Sequence, residues 1–126
     1  MIRLTAHAIL SGPHFSPQKA LSTTGLALSK RIEPSYPTSH ESTVREGSAI
    51  LVAPVAEDGF HGLEQLLKSI DLGYAGLNAA GLDEITVFLN VAYREQCNFE
   101  LGASLTLLLA NIGATIAVSC YPDDGS

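Results

Sequence analysis

The sequence predicts an α+β fold: an antiparallel or mixed five-stranded sheet with two to three helices mainly on one face. Three observations lead there. Five short runs have the alternation or the continuous apolar character of strands, three intervening segments carry helical spacing or cap signals, and the resulting order is β-α-β-β-α-β-α-β. At 126 residues the chain reads as one domain, 1–126, which buries roughly two-thirds of its unfolded surface without disulfides or metals.

Residues 2–10 place Ile2, Leu4, Ala6, Ala8 and Leu10 on one side and Arg3, Thr5 and His7 on the other, the pattern of a half-buried strand. A helix start follows. Ser16 suits the N-cap, Pro17 suits the first helical position, Phe15 can pack back onto Ala20, and Gly25 closes the helix. Residues 27–33 read as a second strand. The stretch 33–46, with two prolines, many hydroxyls and no apolar period, reads as an exposed loop. Residues 48–55 read as a third strand, apolar on both faces, with Pro54 marking an edge or bulge.

Asp58 can cap a helix over 60–70, where Phe60, Leu63, Leu66, Leu67 and Ile70 fall at helical spacing; a weaker helical turn follows and closes at Gly81. Residues 84–93 give the fourth strand, with Ile85, Val87, Leu89, Val91 and Tyr93 on one face. Asn98 is expected to cap an apolar helix over 99–111, Gly113 to end it, and 114–120 to return as the fifth strand. So few charges on that helix imply that it is covered on most sides, which would make 83–121 the structural centre. The strand–turn–Phe–helix–strand sequence recurs loosely at Phe15 and Phe99, and two such units forming one sheet predict a ferredoxin-like arrangement.

Strand parity defines a second surface. Ile50, Val52, Phe88, Ala92, Ala117 and Tyr121 fall opposite the helix side, mixed with Thr86, Asn90, Thr115 and Ser119. A fully solvated sheet face is more polar than this, so the face is expected to meet a partner protein or a second copy, the competing reading being a twisted sheet covered by the chain's own long loop. Composition agrees: 46% of residues are hydrophobic and 16% charged, where about a quarter charged is usual. Thirteen acidic and seven basic residues give a net charge of −6, and the basic residues form no stripe. Nucleic acid and anionic membranes are therefore poor partners, and a basic protein a better one. The N-terminus lacks the continuous apolar core of a signal peptide, and the run LTLLLANIGATIAV is too short to span a bilayer. A reduced, cytoplasmic setting is expected.

The sequence contains no recognisable catalytic constellation. His7, His14, His40 and His61 make no HxH or HExxH, and Cys97 and Cys120 make no zinc spacing, so no metal and no cofactor are expected. The cysteines read as buried free thiols. Cys97 also falls just before the expected helix N-terminus, where the dipole lowers a thiol pKa, although filling space near the cap is the simpler reading. Gly73, Gly76 and Gly81 lack the register of a dinucleotide loop and the lysine of a P-loop. In the turn 93–100, Gln96 and Asn98 are expected to bond the turn and helix start. The competing reading is a small ligand site there, with Cys97, Glu100 and His14 converging.

Gln96, Asn98, Phe99 and Glu100 after a strand, the Leu-rich helix, the glycine, and the ending Ile116-x-Val118-Ser119-Cys120-Tyr121 carry a family likeness. With the opening strand and Phe15-Ser16-Pro17, they make the chain resemble a small bacterial family catalogued as domain of unknown function 4279. The chain departs from it in lacking Trp and in its Pro- and Ser-rich middle loop. The resemblance implies a small α+β domain and assigns no catalytic residue. By analogy with stand-alone acidic bacterial domains, the expectation is a non-enzymatic immunity or inhibitor protein that occludes the active site of a toxin, possessing a basic surface. Glu41, Glu46, Glu57, Asp58, Phe88, Asn90 and Tyr121 are the expected contacts. A homodimer associating through the sheet face is the alternative.

Overall fold

In the computed structural model, which describes residues 2–36, 45–56 and 58–123, the chain runs β1 (Ile2–Gly12), α1 (Pro17–Thr24), β2 (Ser29–Ile32), β3 (Gly47–Val52), α2 (Gly59–Leu72), α3 (Tyr74–Ala79), β4 (Glu84–Tyr93), α4 (Ala103–Asn111) and β5 (Thr115–Pro122). The fold is α+β. The described strands form one mixed five-stranded sheet in the order β2-β3-β1-β4-β5, and the described helices number four rather than two to three. β1 pairs antiparallel with β3 and β4, β3 antiparallel with β2, and β4 parallel with β5. The strand order departs from the ferredoxin-like expectation because β5 extends the sheet beyond β4 as a parallel edge strand.

The helix side of the sheet is apolar by strict alternation. Leu4, Ala6, Ala8 and Leu10 of β1, Ala49 and Leu51 of β3, and Ile85, Val87, Leu89 and Val91 of β4 are all buried. Small residues in β1 let α2 settle against that strand, and Leu63, Leu66, Leu67 and Ile70 close the core from above. Each such side chain contributes about 1.5–3 kcal/mol relative to an exposed one. Asp58 caps α2 by accepting from the Phe60 N–H at 2.9 Å. Gly59 follows because a Cβ there would lie 2.2 Å from the Leu4 carbonyl oxygen.

The first helix forms as its sequence signals require. The Ser16 hydroxyl accepts from Lys19 N–H, Pro17 opens the helix, and Gly25 ends it at φ 70°. Glu33, just beyond β2, adds to this cap: its carboxylate accepts from Ser16 Oγ at 2.6 Å and from Gln18 N–H at 3.1 Å. Phe15 and Ala20 are fully buried beneath. Gly81, at φ 96°, turns the chain from α3 into β4 where a Cβ would sit 2.4 Å from the His14 carbonyl oxygen.

Three local expectations are corrected. β3 ends at Val52, because Pro54 can donate no ladder hydrogen bond. α4 begins at Ala103 with Gly102 as its cap and no side-chain cap bond; Asn98 instead donates to Gln96 Oε1 at 2.9 Å. And α4 is not covered on most sides: of its residues only Leu105 and Leu109 are buried, while Leu107 is 62% exposed. It lies beside α2 near the edge of the molecule, so its apolar composition does not correspond to burial. Ser35 and Arg45 form an isolated antiparallel bridge, their backbones exchanging bonds of 2.9 and 3.1 Å.

Candidate protein-docking face

The side of the sheet away from the helices is assembled by register. His7 lies opposite both Val52 and Phe88, Ile9 opposite Ile50 and Thr86, Thr5 opposite Asn90, and Arg3 opposite Ala92. Across the β4–β5 boundary, Phe88 pairs with Ala117, Asn90 with Ser119, and Ala92 with Tyr121. Residues directly opposite across a ladder share a face. Ile50, Val52, Phe88, Ala92, Ala117 and Tyr121 therefore share one surface, with Thr86, Asn90, Thr115 and Ser119 between them.

At its centre the imidazole of His7 stacks on Phe88, ring centroids 5.1 Å apart and planes 8° from parallel. Beside this stack Ile9 and Ile50 form a half-buried cross-strand pair. Val52, directly opposite His7, and Tyr121 are more open, at 62% and 48% exposed. Of the residues that β1, β3, β4 and β5 send to this face, only Arg3 and Glu84 are charged, and they stand at opposite ends. Arg3 is held there by Asp123, whose carboxylate accepts from Nε at 2.9 Å. The result is an aromatic and aliphatic centre free of carboxylates, lysine and arginine and edged by hydroxyls and amides, which is how the core of a protein interface is composed.

The expected contact residues do not all gather. Phe88, Asn90 and Tyr121 share the face. Glu46 precedes β3 at the Gly12 end of the sheet, whereas Asp58 starts α2 beside Leu4 at the other end. Glu41 and Glu57 lie outside the described residues, as does His40. His7 and Ile9, which are not among the expected contacts, also lie on this face. Strand alternation already placed His7 opposite the core, and carrying that alternation two residues further would have added Ile9.

The competing ligand site is not assembled. His14 follows β1 and bonds Tyr36 Oη through Nδ1 at 3.1 Å, stacked on its ring. Cys97 follows β4 at the opposite end of the sheet, and Glu100 is exposed. Cys97 is not at a helix N-terminus, and neither cysteine is buried: Cys97 is half-buried and Cys120 exposed. Their sulfurs lie 2.9 Å apart with the Cys97 thiol donating. That bond holds the Cys97 thiol above its ordinary titration range, with desolvation and repulsion from an ionised Cys120 adding to it, the reverse of the dipole effect. A hollow of about 480 Å³ beside α1 is lined by Ser16, Gln18, Lys19, Ser22, Thr23, Ala79 and Ala80, without a carboxylate, imidazole or thiol. Among the described residues no three His, Cys, Asp or Glu side chains gather as metal ligands, and no helix is long and apolar enough to cross a membrane.

No protein-family model, curated protein or solved structure matches the chain.

Proposed function

We propose that the chain is a non-enzymatic protein-binding module of the immunity or inhibitor kind, which docks on a toxin through the helix-free face of its sheet. The observation that carries this reading is the half-buried centre built on the His7–Phe88 stack, which has an interface core's composition and is flanked by the exposed Val52 and Tyr121. The net charge of −6 favours a basic partner and speeds encounter with it. Because Glu46 and Asp58 lie at opposite ends of the sheet, they act as separate rim charges around the apolar centre.

The test is rescue. Cells expressing the toxin encoded beside this chain should survive when it is co-expressed, and Phe88→Asp should abolish survival while leaving the fold intact by circular dichroism. Truncating an interface anchor typically costs about 2 kcal/mol or more, roughly a 30-fold loss of affinity. Glu46→Gln should chiefly lower the association rate and its salt dependence. Equal killing with and without the chain would refute the reading. The opposite charges of Arg3 and Glu84 at the two ends favour one second reading, a homodimer stacked face to face. A dimer by light scattering that Phe88→Asp splits would support it, and a dimer indifferent to that change would remove it.

A further inference from the structure

The β4–α4–β5 unit carries a feature that docking does not use. Cys97 sits in the connection between β4 and α4, and Cys120 sits on the helix side of β5, where its partner in register is the core residue Val91. The two are 23 positions apart in sequence, yet the fold brings their sulfurs to 2.9 Å, with both reachable by solvent to some degree. Two thiols meeting at a surface, with no third ligand-type side chain beside them among the described residues, suit neither a metal nor a packed core. We propose that Cys97 and Cys120 form a reversible dithiol–disulfide site, oxidised by small-molecule disulfides of the glutathione class, which staples the β4–α4 connection to the edge strand.

The exchange balances without another reagent. One protein thiolate attacks a sulfur of oxidised glutathione: a protein–glutathione S–S bond forms, the glutathione S–S bond breaks, and one glutathione leaves and takes up a proton. The second protein thiol gives its proton to solvent and attacks the protein sulfur of that mixed disulfide. The second glutathione leaves as a thiol. The two protein thiols are oxidised, and one glutathione disulfide is reduced to two thiols. The second step is intramolecular between sulfurs already in contact, so the mixed disulfide should not accumulate. The thiol of Cys97 titrates above its ordinary range, so closure quickens as pH rises. The exposure of Cys120 leaves the product open to reductants, which makes the staple reversible.

The staple falls on the part of the molecule with the thinnest cover. β5 pairs on one side only, and Tyr121 of the docking face directly follows Cys120. Oxidation would hold that strand and the connection together whichever partner the face receives.

The full chain, incubated with oxidised glutathione and digested without reductant, should yield a peptide cross-linked through residues 97 and 120 and retain no glutathione. The thermal midpoint should rise by about 10 °C, from the loop closed by the link, and return on adding dithiothreitol. In Cys120→Ser, Cys97 should instead keep glutathione as a stable mixed disulfide. Glutathione retained on both cysteines of the unaltered chain, cross-links joining separate chains, or an internal link that lowers the midpoint would each overturn the proposal.

Discussion

The β1–α1–β2 and β4–α4–β5 units both run from an inner strand through a short helix to an edge of the sheet, and they are completed differently. In the first, Ser16 and Glu33 satisfy the start of the helix, Gly25 turns its end, and Phe15 and Ala20 are fully buried beneath it. In the second, Gly102 caps without a side chain, Phe99 is half-buried against Phe60, and Leu107 faces solvent. The edges differ as well. β2 is four residues long, with a register irregularity and Lys30 at φ 46°, whereas β5 keeps register with β4 over eight residues and carries no charge. Helix α1 is held by directional bonds and close packing, α4 by partial packing of an apolar stripe. The apolar helix is therefore the less anchored of the two.

The largest effect should separate the two phenylalanines. Phe15 fills a fully buried site, so Phe15→Ala is expected to cost about 3–5 kcal/mol. Phe99 keeps a tilted contact with Phe60 at 6.2 Å between ring centroids, and its loss should cost about 1–2 kcal/mol. Urea unfolding of both variants measures this. Equal costs would mean that the second unit is packed as firmly as the first.

The caps should give a smaller split. Ser16→Ala removes the bond to Lys19 N–H and the hydrogen that Glu33 accepts, and should lower stability by about 1 kcal/mol. Gly102→Ser supplies α4 with a side-chain cap and should raise stability by a few tenths of a kcal/mol. Opposite signs in thermal midpoint are the expected result; a loss at both positions would show that Gly102 is held for its backbone.

What the sequence made legible follows from how local each determinant is. The alternation of β1 and β4, the Ser16–Pro17–Gly25 signals of α1 and the spacing of α2 depend on neighbours within a few residues, and all appear as read. The apolar helix expected over 99–111 is less covered than its composition implies, because composition alone does not reveal which strand ends a sheet. That is decided by pairing between distant segments: β5 joins only β4, so α4 has less to cover it. The same limit hid the Cys97–Cys120 contact, since parity puts Cys120 on the helix side but says nothing of the path from Tyr93 to Ala103. The shared sheet face of Phe88, Asn90 and Tyr121 was legible because strand parity is local, whereas the placement of Glu46 and Asp58 at opposite ends of the sheet was not, because it depends on pairing between distant segments.

Titration offers a subtler probe of the second unit. Cys97 keeps its proton to higher pH in the folded chain than an unperturbed thiol does. Its contribution to stability is therefore complete below the ordinary thiol range, about pH 8.5, and is lost as pH rises through the raised folded value. Cys97→Ser should flatten that alkaline decline under reducing conditions. An unchanged decline in chemical-denaturation midpoints between neutral and alkaline pH would assign it to other groups.

The smallest effect on stability should come from the edges, although their association should differ visibly. An unpaired strand offers its outward N–H and C=O groups to any other strand, and proteins discourage this with charge, bulges and short length. β2 has all three, with Lys30 and Arg31 in a four-residue strand. β5 has none, and among the described residues no further backbone hydrogen bond engages its free side. Val118, 46% exposed on the helix side of β5, can take a lysine whose ammonium reaches water, so Val118→Lys should change stability by no more than about 0.5 kcal/mol. The same change should suppress the concentration-dependent light scattering that an open, uncharged edge produces. Replacing Lys30 and Arg31 by threonine should raise scattering less than Val118→Lys lowers it, because the short, irregular β2 still limits pairing. If the two edges respond alike, length and regularity matter less than charge, and the contrast between the two units reduces to their helices.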